Sequence, residues 1–586
     1  MEKHAVSLSP NARLVLEKRY LRRDDFGRLL ESPEEMFRRV AVNIARADLL
    51  YDPKADVAAL EEQFYEMLAS LQFMPNSPIL MNAGRQLQQL FGCFVLPLED
   101  AIEDIFEMVK QAALIHKSGG GTGFSFSRIR PKNDRVSTSG GIASGPVSFI
   151  RVFNEATEAI NQGGFRRGAN MAVLRVDPPD ILDFIQAKRI EGTLTNFNLS
   201  VGVTDAFMRA VEENQEFPLV NPRTKSVVKT INAKSLFDEI ARSAWENGEP
   251  GILFLDAINA ANPTPLLGAI EGTNPCGEQP LLPFEACALG SINLSGMVTC
   301  AHEGYAFDWN RFESVIHRAV RFLDNAIDVN TYPLPQIERI TKGNRKIGLG
   351  VMGLADLLIK LGISYNSEEA VLYVDKLMGF FSQKANEASI KLASERGVFP
   401  NYDKSIYACT ASQKYRNASR TTVAPTGTVS IIASCSGGIE PLFAVAYKRN
   451  VLVEEGLSEV HPLFVEMAKK RGFYSPKLLE EVSNGRSLQN MGDVPPDVKK
   501  LFVTAHDVSP EQHVRIQAAC QKHIDSGVSK TINFPKNTGI DDVRNVFFLA
   551  YKSGCKGITV FRDQSRVSQA LSLACGCTFE VNAPGG

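Results

Sequence analysis

The sequence predicts an α/β fold built around one large core. Short apolar stretches alternate with amphipathic helices and glycine-rich turns up to about residue 360, and the same pattern returns at 420–433. The composition agrees, because 44% of the 586 residues are apolar and 22% are charged, as in ordinary globular chains. Since no internal repeat or linker is visible, we expect one core with helical additions.

Charge and cysteine content exclude several classes of protein. The chain has 64 basic and 66 acidic side chains and a formal net charge of −2, which argues against a broad nucleic-acid-binding surface. It shows neither a secretory signal nor a membrane-spanning apolar stretch, so we expect a cytoplasmic protein. Ten cysteines are too few for a disulfide scaffold. The cysteines and histidines lack zinc-site spacing, so we expect no protein-ligated metal.

The first 85 residues predict a helical N-terminal region. Ser32 and Glu35 have the spacing of a capping box at a helix start. The segment 73–84 contains two prolines and predicts a loop that leads into the next region. One helix face is predicted mainly by the apolar residues Met36, Val40, Val42, Ile44, Leu49 and Leu50.

Strands and helices then follow in order. Residues 90–98 are apolar, aromatic and β-branched, which predicts a buried strand. Two helices are predicted at 101–118 and 147–162, with glycine- and serine-rich turns between them. The more charged residues 450–500 predict a helical insertion, and residues 557–563 predict the last strand.

Three glycine-rich turns are candidates for binding an anion. In 424–430, hydroxyl side chains surround a glycine, so hydroxyls and backbone N–H groups can converge on a phosphate; a plain strand-to-helix turn is the alternative. The segment 161–168 places two arginines on a flexible turn, although a solvated basic turn has the same composition. The segment 118–123 has neither Walker nor Rossmann spacing.

The sharpest local feature is a loop that presents an amide, a thiol and a carboxylate within five residues, namely Asn274, Cys276 and Glu278. Pro275 and Gly277 between them disfavour a helix or a regular strand. Cys276 has no neighbouring cation to stabilise a thiolate, and Glu278 favours the protonated thiol, which weakens a nucleophilic role. Such surroundings suit a thiol that gives up a hydrogen atom, while a purely structural cysteine remains the alternative.

Taken together, these motifs resemble the catalytic subunit of ribonucleotide reductases in the same order over about residues 8–570. The resemblance implies a ten-stranded α/β barrel of two parallel five-stranded halves with a central finger loop, occupying 86–570 after an N-terminal helical region at 1–85 and before a tail at 571–586. The motifs are FMPNSPILMNAG (73–84), FGCFV (91–95), NPCGE (274–278), EACALGSINL (285–294) and APTGTVS (424–430).

The resemblance also implies roles for individual residues. Cys276 would be the thiyl-radical residue that abstracts the ribose 3′-hydrogen, Glu278 the base on the 3′-hydroxyl, and Asn274 a hydrogen-bonding partner of the ribose. Cys93 and Cys287 would supply two electrons and close as a disulfide. The implied substrate-binding residues are Ser77, Gly92, Gly121, Pro425, Thr426, Gly427, Thr428, Val429 and Ser430.

The radical source is expected to be adenosylcobalamin. Members that use a separate metal-containing subunit relay the radical through adjacent tyrosines, whereas Val560 and Phe561 stand at the corresponding places here. The C-terminal glycyl-radical motif is also missing from the sequence. Two alternatives stay open: a large subunit that needs a metal-containing radical-generating partner, and a nucleotide-binding protein of this scaffold without reductase activity.

Regulation and reduction are implied by the same resemblance. The helices at 101–118 and 145–160 would pair two copies in a homodimer around a dNTP or ATP effector, with effector loops at 127–142 and 160–170. A thioredoxin- or glutaredoxin-like reductant would act through a C-terminal cysteine pair, although a vestigial tail is the alternative. The effector-binding residues would be Asp100, Arg130, Gln162 and Arg166, and the C-terminal redox pair Cys575 and Cys577.

Overall fold

The computed structural model describes residues 6–566 except 137–139, 162–167, 302–303, 411–412, 450–456 and 485. Its strands are β1 (Phe73–Pro75), β2 (Cys93–Leu96), β3 (Gly121–Ser125), β4 (Asn170–Arg175), β5 (Phe197–Val203), β6 (Glu216–Val220), β7 (Val227–Asn232), β8 (Gly251–Phe254), β9 (Gly272–Thr273), β10 (Pro280–Leu281), β11 (Glu285–Asn293), β12 (Val298–Ala301), β13 (Gly304–Phe307), β14 (Ile347–Met352), β15 (Ala446–Arg449), β16 (Leu457–Val460), β17 (Thr531–Phe534) and β18 (Gly557–Arg562).

Helices surround these strands. The α-helices are α1 (Pro10–Arg19), α2 (Pro33–Ala45), α3 (Val57–Ala69), α4 (Ser77–Asn82), α5 (Ile102–Lys117), α6 (Pro146–Asn161), α7 (Ile181–Ile185), α8 (Asp205–Glu212), α9 (Ala233–Asn247), α10 (Leu255–Ala260), α11 (Trp309–Val329), α12 (Pro335–Asn344), α13 (Leu354–Leu361), α14 (Glu368–Arg396), α15 (Ile406–Thr410), α16 (Val429–Ile432), α17 (Pro462–Lys470), α18 (Pro476–Ser483), α19 (Pro496–Leu501), α20 (Pro510–Gln521) and α21 (Ile540–Lys552). Short 3₁₀ helices cover Arg46–Leu50, Pro265–Leu267, Leu294–Gly296, Tyr402–Lys404 and Leu488–Asn490.

Two parallel halves make up the central sheet. In the first half, β2, β3, β4, β5 and β8 pair in parallel, each with the next. In the second half, β11 pairs in parallel with β14, and β17 pairs in parallel with β18. Two parallel bridges join these pairs through an intervening extended segment, Leu349 to Thr421 and Val423 to Val528. Each half therefore contains five parallel strands.

The two halves close on each other at two antiparallel seams. At one seam β11 runs against β2, and at the other β18 runs against β8. Ten strands therefore form a closed barrel, as predicted. Strands such as β11 and β14 are buried along their whole length, which explains their small and apolar residues: one face packs on helices and the other faces the barrel interior.

A finger loop occupies the barrel interior. Its stem is the antiparallel pair β9 and β10, and its tip is 274–279. Glycines from both halves make room for it: a Cβ on Gly123 would lie 1.7 Å from the carbonyl oxygen of Thr273, and one on Gly527 would lie 2.6 Å from that of Gly277. The predicted central finger is therefore confirmed, and the barrel strands can approach it only because they carry no side chain at these positions.

The N-terminal helices confirm one detailed prediction and correct another. The Ser32 hydroxyl accepts from the Glu35 N–H, and the Glu35 carboxylate accepts from the Ser32 N–H, which forms the predicted capping box of α2. The prediction that Leu49 and Leu50 share the buried face was wrong, because both are exposed. The α-helix ends at Ala45, and the tighter 3₁₀ turn that follows rotates these side chains outward.

The predicted loop at 73–84 was also wrong. Residues 73–75 form β1, which pairs antiparallel with β11, and residues 77–82 form α4. Pro78 lies in the first turn of α4, where the missing N–H group of proline costs no hydrogen bond. By contrast, the predicted strands at 90–98 and 557–563 and the predicted helices at 101–118 and 147–162 are confirmed by β2, β18, α5 and α6.

A buried ionic network fixes the N-terminal region to the barrel domain. Asp324 on α11 binds Arg345, Arg396 and Arg416, and Arg396 also binds Asp48 of the N-terminal region. Burial alone would raise the pKa of Asp324, but the arginines outweigh it and lower this pKa to about 2. The charged carboxylate is therefore part of the fold.

The stretch 450–500 contains α17, α18 and α19 within its described residues, as expected for a helical insertion, while the domain boundaries themselves stay predictions. None of the helices in the described part of the chain has the length and apolar character needed to span a bilayer.

Candidate active site

The tip of the finger is a tight turn that both halves of the barrel hold in place. Gly277 has a φ of +81°, a left-handed conformation that favours glycine, and its N–H donates to the carbonyl of Asn274. Asn198 donates its side-chain amide to the carbonyl of Pro275 at 2.8 Å, and Thr422 donates its hydroxyl to the carbonyl of Glu278 at 2.8 Å. The backbone on each side of Cys276 is therefore fixed by a different half of the barrel.

A cavity with about 800 Å³ of empty space, part of it open to solvent, lies over the finger tip. Cys276 is partly exposed and lines the cavity, so its sulfur is accessible to a bound ligand. The other sequence-predicted residues that line it are Ser77, Gly92, Cys93, Gly121, Asn274, Glu278, Pro425, Thr426, Gly427, Thr428 and Val429.

Cys93 and Cys287 lie directly opposite each other across the seam between β2 and β11. Paired residues on antiparallel strands have Cα atoms about 4.5–5.5 Å apart, which matches the spacing of disulfides. Both side chains are buried. Cys93 faces the cavity, whereas Cys287 lies behind it and is completely buried. The two cysteines can therefore close as a disulfide without a large backbone movement.

Polar groups of the finger reach the outer thiol of this pair. Asn274 donates its side-chain amide to Cys93 Sγ at 3.2 Å, and Glu278 Oε1 lies 4.0 Å from the same sulfur. Burial raises the pKa of Cys287 well above its ordinary value, and the nearby carboxylate of Glu285 adds to this effect. The inner thiol is therefore kept protonated.

The turn at 424–430 forms another wall of the cavity. Thr426 has a left-handed φ of +54°, and its hydroxyl accepts from the N–H of Gly438 at 2.8 Å. A Cβ on Gly437 would lie 2.9 Å from the carbonyl oxygen of Pro425, so the turn packs tightly against a second glycine-rich segment. Ser430 does not line the cavity; it lies one residue beyond Val429, with its hydroxyl 3.4 Å from the carbonyl of Gly427.

Two residues of this site were missed by sequence reasoning. The Tyr20 hydroxyl is hydrogen-bonded to Ser77 Oγ at 2.8 Å, so the N-terminal region orients a predicted substrate-binding group. Asn76 lines the cavity, and within the described chain its buried amide oxygen and nitrogen have no hydrogen-bond partner. Asn76 lies between Pro75 and Pro78, and these prolines led to the prediction of a loop and not of a ligand-binding residue.

The predicted effector residues are only partly described. Arg130 donates its side-chain Nε–H to Asp100 at 2.8 Å, and its backbone N–H donates to the same carboxylate at 3.0 Å. This bond holds the two predicted effector contacts together beside the start of α5. The remaining predicted residues, Gln162, Arg166, Cys575 and Cys577, lie outside the described residues.

Comparison with known proteins agrees with this architecture. Residues 91–561 match the family described as ribonucleotide reductase, barrel domain, and residues 6–88 match ribonucleotide reductase, all-alpha domain. The chain belongs to the ribonucleotide reductase family. The barrel match includes the finger, both members of the cysteine pair and the turn at 424–430.

Relatives of this ribonucleotide reductase cover nearly its whole length. The vitamin B12-dependent ribonucleoside-diphosphate reductase of Thermoplasma acidophilum is 46% identical over 99% of this chain and 82% of its own. The protein of the same name from Mycobacterium tuberculosis is 49% identical over 97% of this chain and 81% of its own. The class Id ribonucleotide reductase alpha subunit of Actinobacillus ureae has the same fold, with a TM-score of 0.77 at 22% identity, covering 95% of this chain and 97% of that one.

Proposed function

We propose that this protein reduces ribonucleotides to 2′-deoxyribonucleotides by thiyl-radical chemistry at Cys276. The main support is that one cavity contains the partly exposed thiol of Cys276, the carboxylate of Glu278, the amide of Asn274 and the outer thiol of the cysteine pair. The reduction of a ribonucleotide by this chemistry uses all four groups around one sugar. A nucleotide sensor without reductase activity has no need for a cysteine pair in disulfide register with a third thiol in the same cavity.

The reaction divides among these residues. The Cys276 thiyl radical takes the 3′-hydrogen atom of the ribose, and Glu278 accepts the proton of the 3′-hydroxyl. The C2′–O bond then breaks, and the 2′-hydroxyl leaves as water with Asn274 bound to the sugar. Cys93 and Cys287 supply the two electrons and the two hydrogens that form the new C2′–H bond and the water, and an S–S bond forms between them. Cys276 finally returns its hydrogen atom to C3′ and is a radical again, and Glu278 returns its proton to the 3′-oxygen.

The radical source that we propose is adenosylcobalamin. The relatives from Thermoplasma acidophilum and Mycobacterium tuberculosis are both named as vitamin B12-dependent enzymes. Gly121 and Ala169, which line the cavity with Cys276, have no large side chains, so the cofactor would approach Cys276 along this wall. Homolysis of the cobalt–carbon bond of the bound cofactor would supply the radical that Cys276 receives. Val560 on β18 is buried and has no phenol, and neither does Phe561, so a tyrosine relay from a partner subunit has no support at these positions.

The proposed substrates are ribonucleoside diphosphates, the class named for the relatives. The phosphates would lie against residues 425–429 of the turn, which line the cavity, and against the Ser77 hydroxyl, where backbone N–H and hydroxyl groups can donate to them. Gly92 and Gly121 line the same cavity without side chains, which would permit close approach of the substrate to the backbone. Asn76 would be a further substrate contact.

We further propose that two copies pair through α5 and α6 around a dNTP or ATP effector. Large apolar side chains on α5 are exposed in the single chain, among them Ile102, Phe106 and Leu114. Such a group on one helix is typical of an interface with another copy. Asp100 and Arg130, next to the start of α5, would contact the effector with Gln162 and Arg166, and a thioredoxin- or glutaredoxin-like dithiol would reduce the enzyme through Cys575 and Cys577.

The test uses the purified full chain with adenosylcobalamin, dithiothreitol, a dNTP and a ribonucleoside di- or triphosphate. The proposal expects deoxynucleotide without any second protein, and none from the Cys276→Ser variant. Product that appears only with a metal-containing partner would replace adenosylcobalamin by the two-subunit alternative. If nucleotide binds but no deoxynucleotide forms under either condition, the reductase proposal is wrong.

A further inference from the structure

A second cavity, with about 360 Å³ of empty space, lies at the opposite end of the second half of the barrel. It is lined by Lys346, Ser419, Ser526 and Lys556, which lie at or just before the start of the parallel strand segments of that half. The substrate cavity is lined by residues 424–429, which follow one of these segments. Because parallel strands begin at the same end of a sheet, the two cavities open at opposite ends of the barrel.

Lys346 connects this second cavity to the inner cysteine. Its ammonium forms a 2.7 Å ion pair with Glu285, and both side chains are almost completely buried. The backbone carbonyl of the same lysine is 3.5 Å from Cys287 Sγ and accepts the thiol hydrogen. Glu285 and Cys287 are two residues apart on β11 and project to the same face of the strand. Cys287 and Lys346 also stand next to each other on neighbouring parallel strands, one position before the register pair Ala288 and Ile347, so the ion pair and the inner thiol lie on one face of the sheet.

Cys287 is otherwise enclosed by apolar side chains, since it packs in a buried cluster with Val95, Leu281 and Leu289. Burial raises the pKa of this thiol, and the carboxylates of Glu285 and Glu278 raise it further, while Lys346 lowers it. Of these charged groups, which come from β11, the finger and the start of β14, Lys346 alone stabilises a thiolate. A thiolate formed at Cys287 would therefore need this ammonium.

We propose that Lys346, held by Glu285, is the acid that delivers a proton to Cys287 each time the Cys93–Cys287 disulfide is reopened. The inference rests on the proposed reductase function. The two ends of the barrel would then have different tasks: substrate and reductant act from the first cavity, whose wall includes Cys93, and the proton for the inner thiol comes through the second.

The exchange balances as follows. A dithiol reductant loses one proton to solvent, and its thiolate attacks Cys93 Sγ, which forms a mixed disulfide; the S–S bond breaks and its electron pair goes to Cys287. Lys346 transfers a proton to that thiolate and regains one from solvent in the second cavity. The second thiol of the reductant then attacks the mixed disulfide, and its proton goes to the released Cys93 thiolate. The reductant ends as a disulfide and the enzyme as two thiols.

The test compares full-length variants that are first oxidised by one turnover and then reduced by dithiothreitol between pH 6.5 and 8.5, with recovery of the Cys287 thiol followed by alkylation and mass spectrometry. Lys346→Met is expected to reopen the disulfide at least tenfold more slowly at pH 7. The matched control is Lys556→Met, which removes a buried ammonium of the same cavity that donates hydrogen bonds to the backbone carbonyls of 524–526.

A single turnover by pre-reduced enzyme separates this inference from the proposed function. It needs no reopening, so Lys346→Met should form deoxynucleotide within threefold of the wild type; if the wild type itself forms none, the reductase proposal fails instead. The double variant Glu285→Gln/Lys346→Met leaves no lone buried carboxylate and guards against a folding defect. Reopening by both variants within twofold of the Lys556→Met control would overturn the proposal.

Discussion

Among the described glycines that contact the finger, Gly123 is the one whose replacement by alanine would clash most severely with it. An alanine Cβ there would lie 1.7 Å from the carbonyl oxygen of Thr273 and 2.7 Å from its carbonyl carbon. The backbone of the finger stem must then move by about 1.7 Å to reach the 3.4 Å of an ordinary contact. Because Thr273 is three residues from Cys276, most of that shift would reach the reactive sulfur.

Gly123→Ala should therefore affect catalysis more than folding. Overpacking of this size costs about 1–3 kcal/mol of unfolding free energy. A displacement of about 1 Å in a reacting group lowers the rate by about 100-fold, so turnover should fall by at least that factor. Deoxynucleotide formation and thermal unfolding would be measured side by side. The control is Gly272→Ala on the same stem, whose Cβ would meet nothing closer than 3.6 Å. Turnover of Gly123→Ala within threefold of this control would refute the interpretation that the glycine positions the finger.

Three further predictions concern other parts of the molecule. Asp324→Asn should lower the unfolding free energy by at least about 2 kcal/mol at pH 7, because the pKa of Asp324 lies near 2 instead of 3.8. The carboxylate stabilises the fold above pH 4, so the difference in unfolding free energy from wild type should shrink as the pH falls from 4 to 2. A difference that stays constant over this pH range in chemical denaturation would contradict the prediction. Phe106→Glu places a charge on a side chain that is 51% exposed on α5; sedimentation should show a shift from dimer to monomer, and an unchanged dimer would place the interface elsewhere. Asn76→Ala should raise KM for the ribonucleotide about tenfold, since one amide with hydrogen bonds to a charged ligand contributes roughly 1.5 kcal/mol, and an unchanged KM would remove Asn76 from the substrate site.

Local sequence signals predicted much of the secondary structure. The capping box of Ser32 and Glu35 and the apolar run at 90–98 depend on neighbouring residues, so the sequence carries them directly. The prediction of a loop at 73–84 was wrong because the effect of a proline depends on its position. A proline in the interior of a helix breaks it, whereas a proline in the first turn is compatible with a helix, and the sequence alone does not say which applies at Pro78. The prediction that Leu49 and Leu50 are buried was wrong because a change from α to 3₁₀ geometry rotates the side chains without changing the spacing of apolar residues in the sequence.

The candidate site shows a different limit. Its predicted residues came from the resemblance, and most of them line one cavity. The ion pair of Glu285 and Lys346 was not predictable, because 61 residues separate its members and the pairing of β11 with β14 alone brings them together. The contact of Tyr20 with Ser77 is similar, since the N-terminal helices reach the site only after they dock on the barrel.

Hydrogen transfer from the sugar to one sulfur atom is measured most directly with a ribonucleotide tritiated at C3′. Pre-reduced enzyme with adenosylcobalamin and an effector should cleave the labelled C3′–H bond with a primary isotope effect. Cys276→Ser should leave that bond intact, while Cys93→Ser should still cleave it, because the outer thiol acts only after the hydrogen has left. Cleavage of the 3′-bond by Cys276→Ser would show that this thiol is not the group that takes the hydrogen.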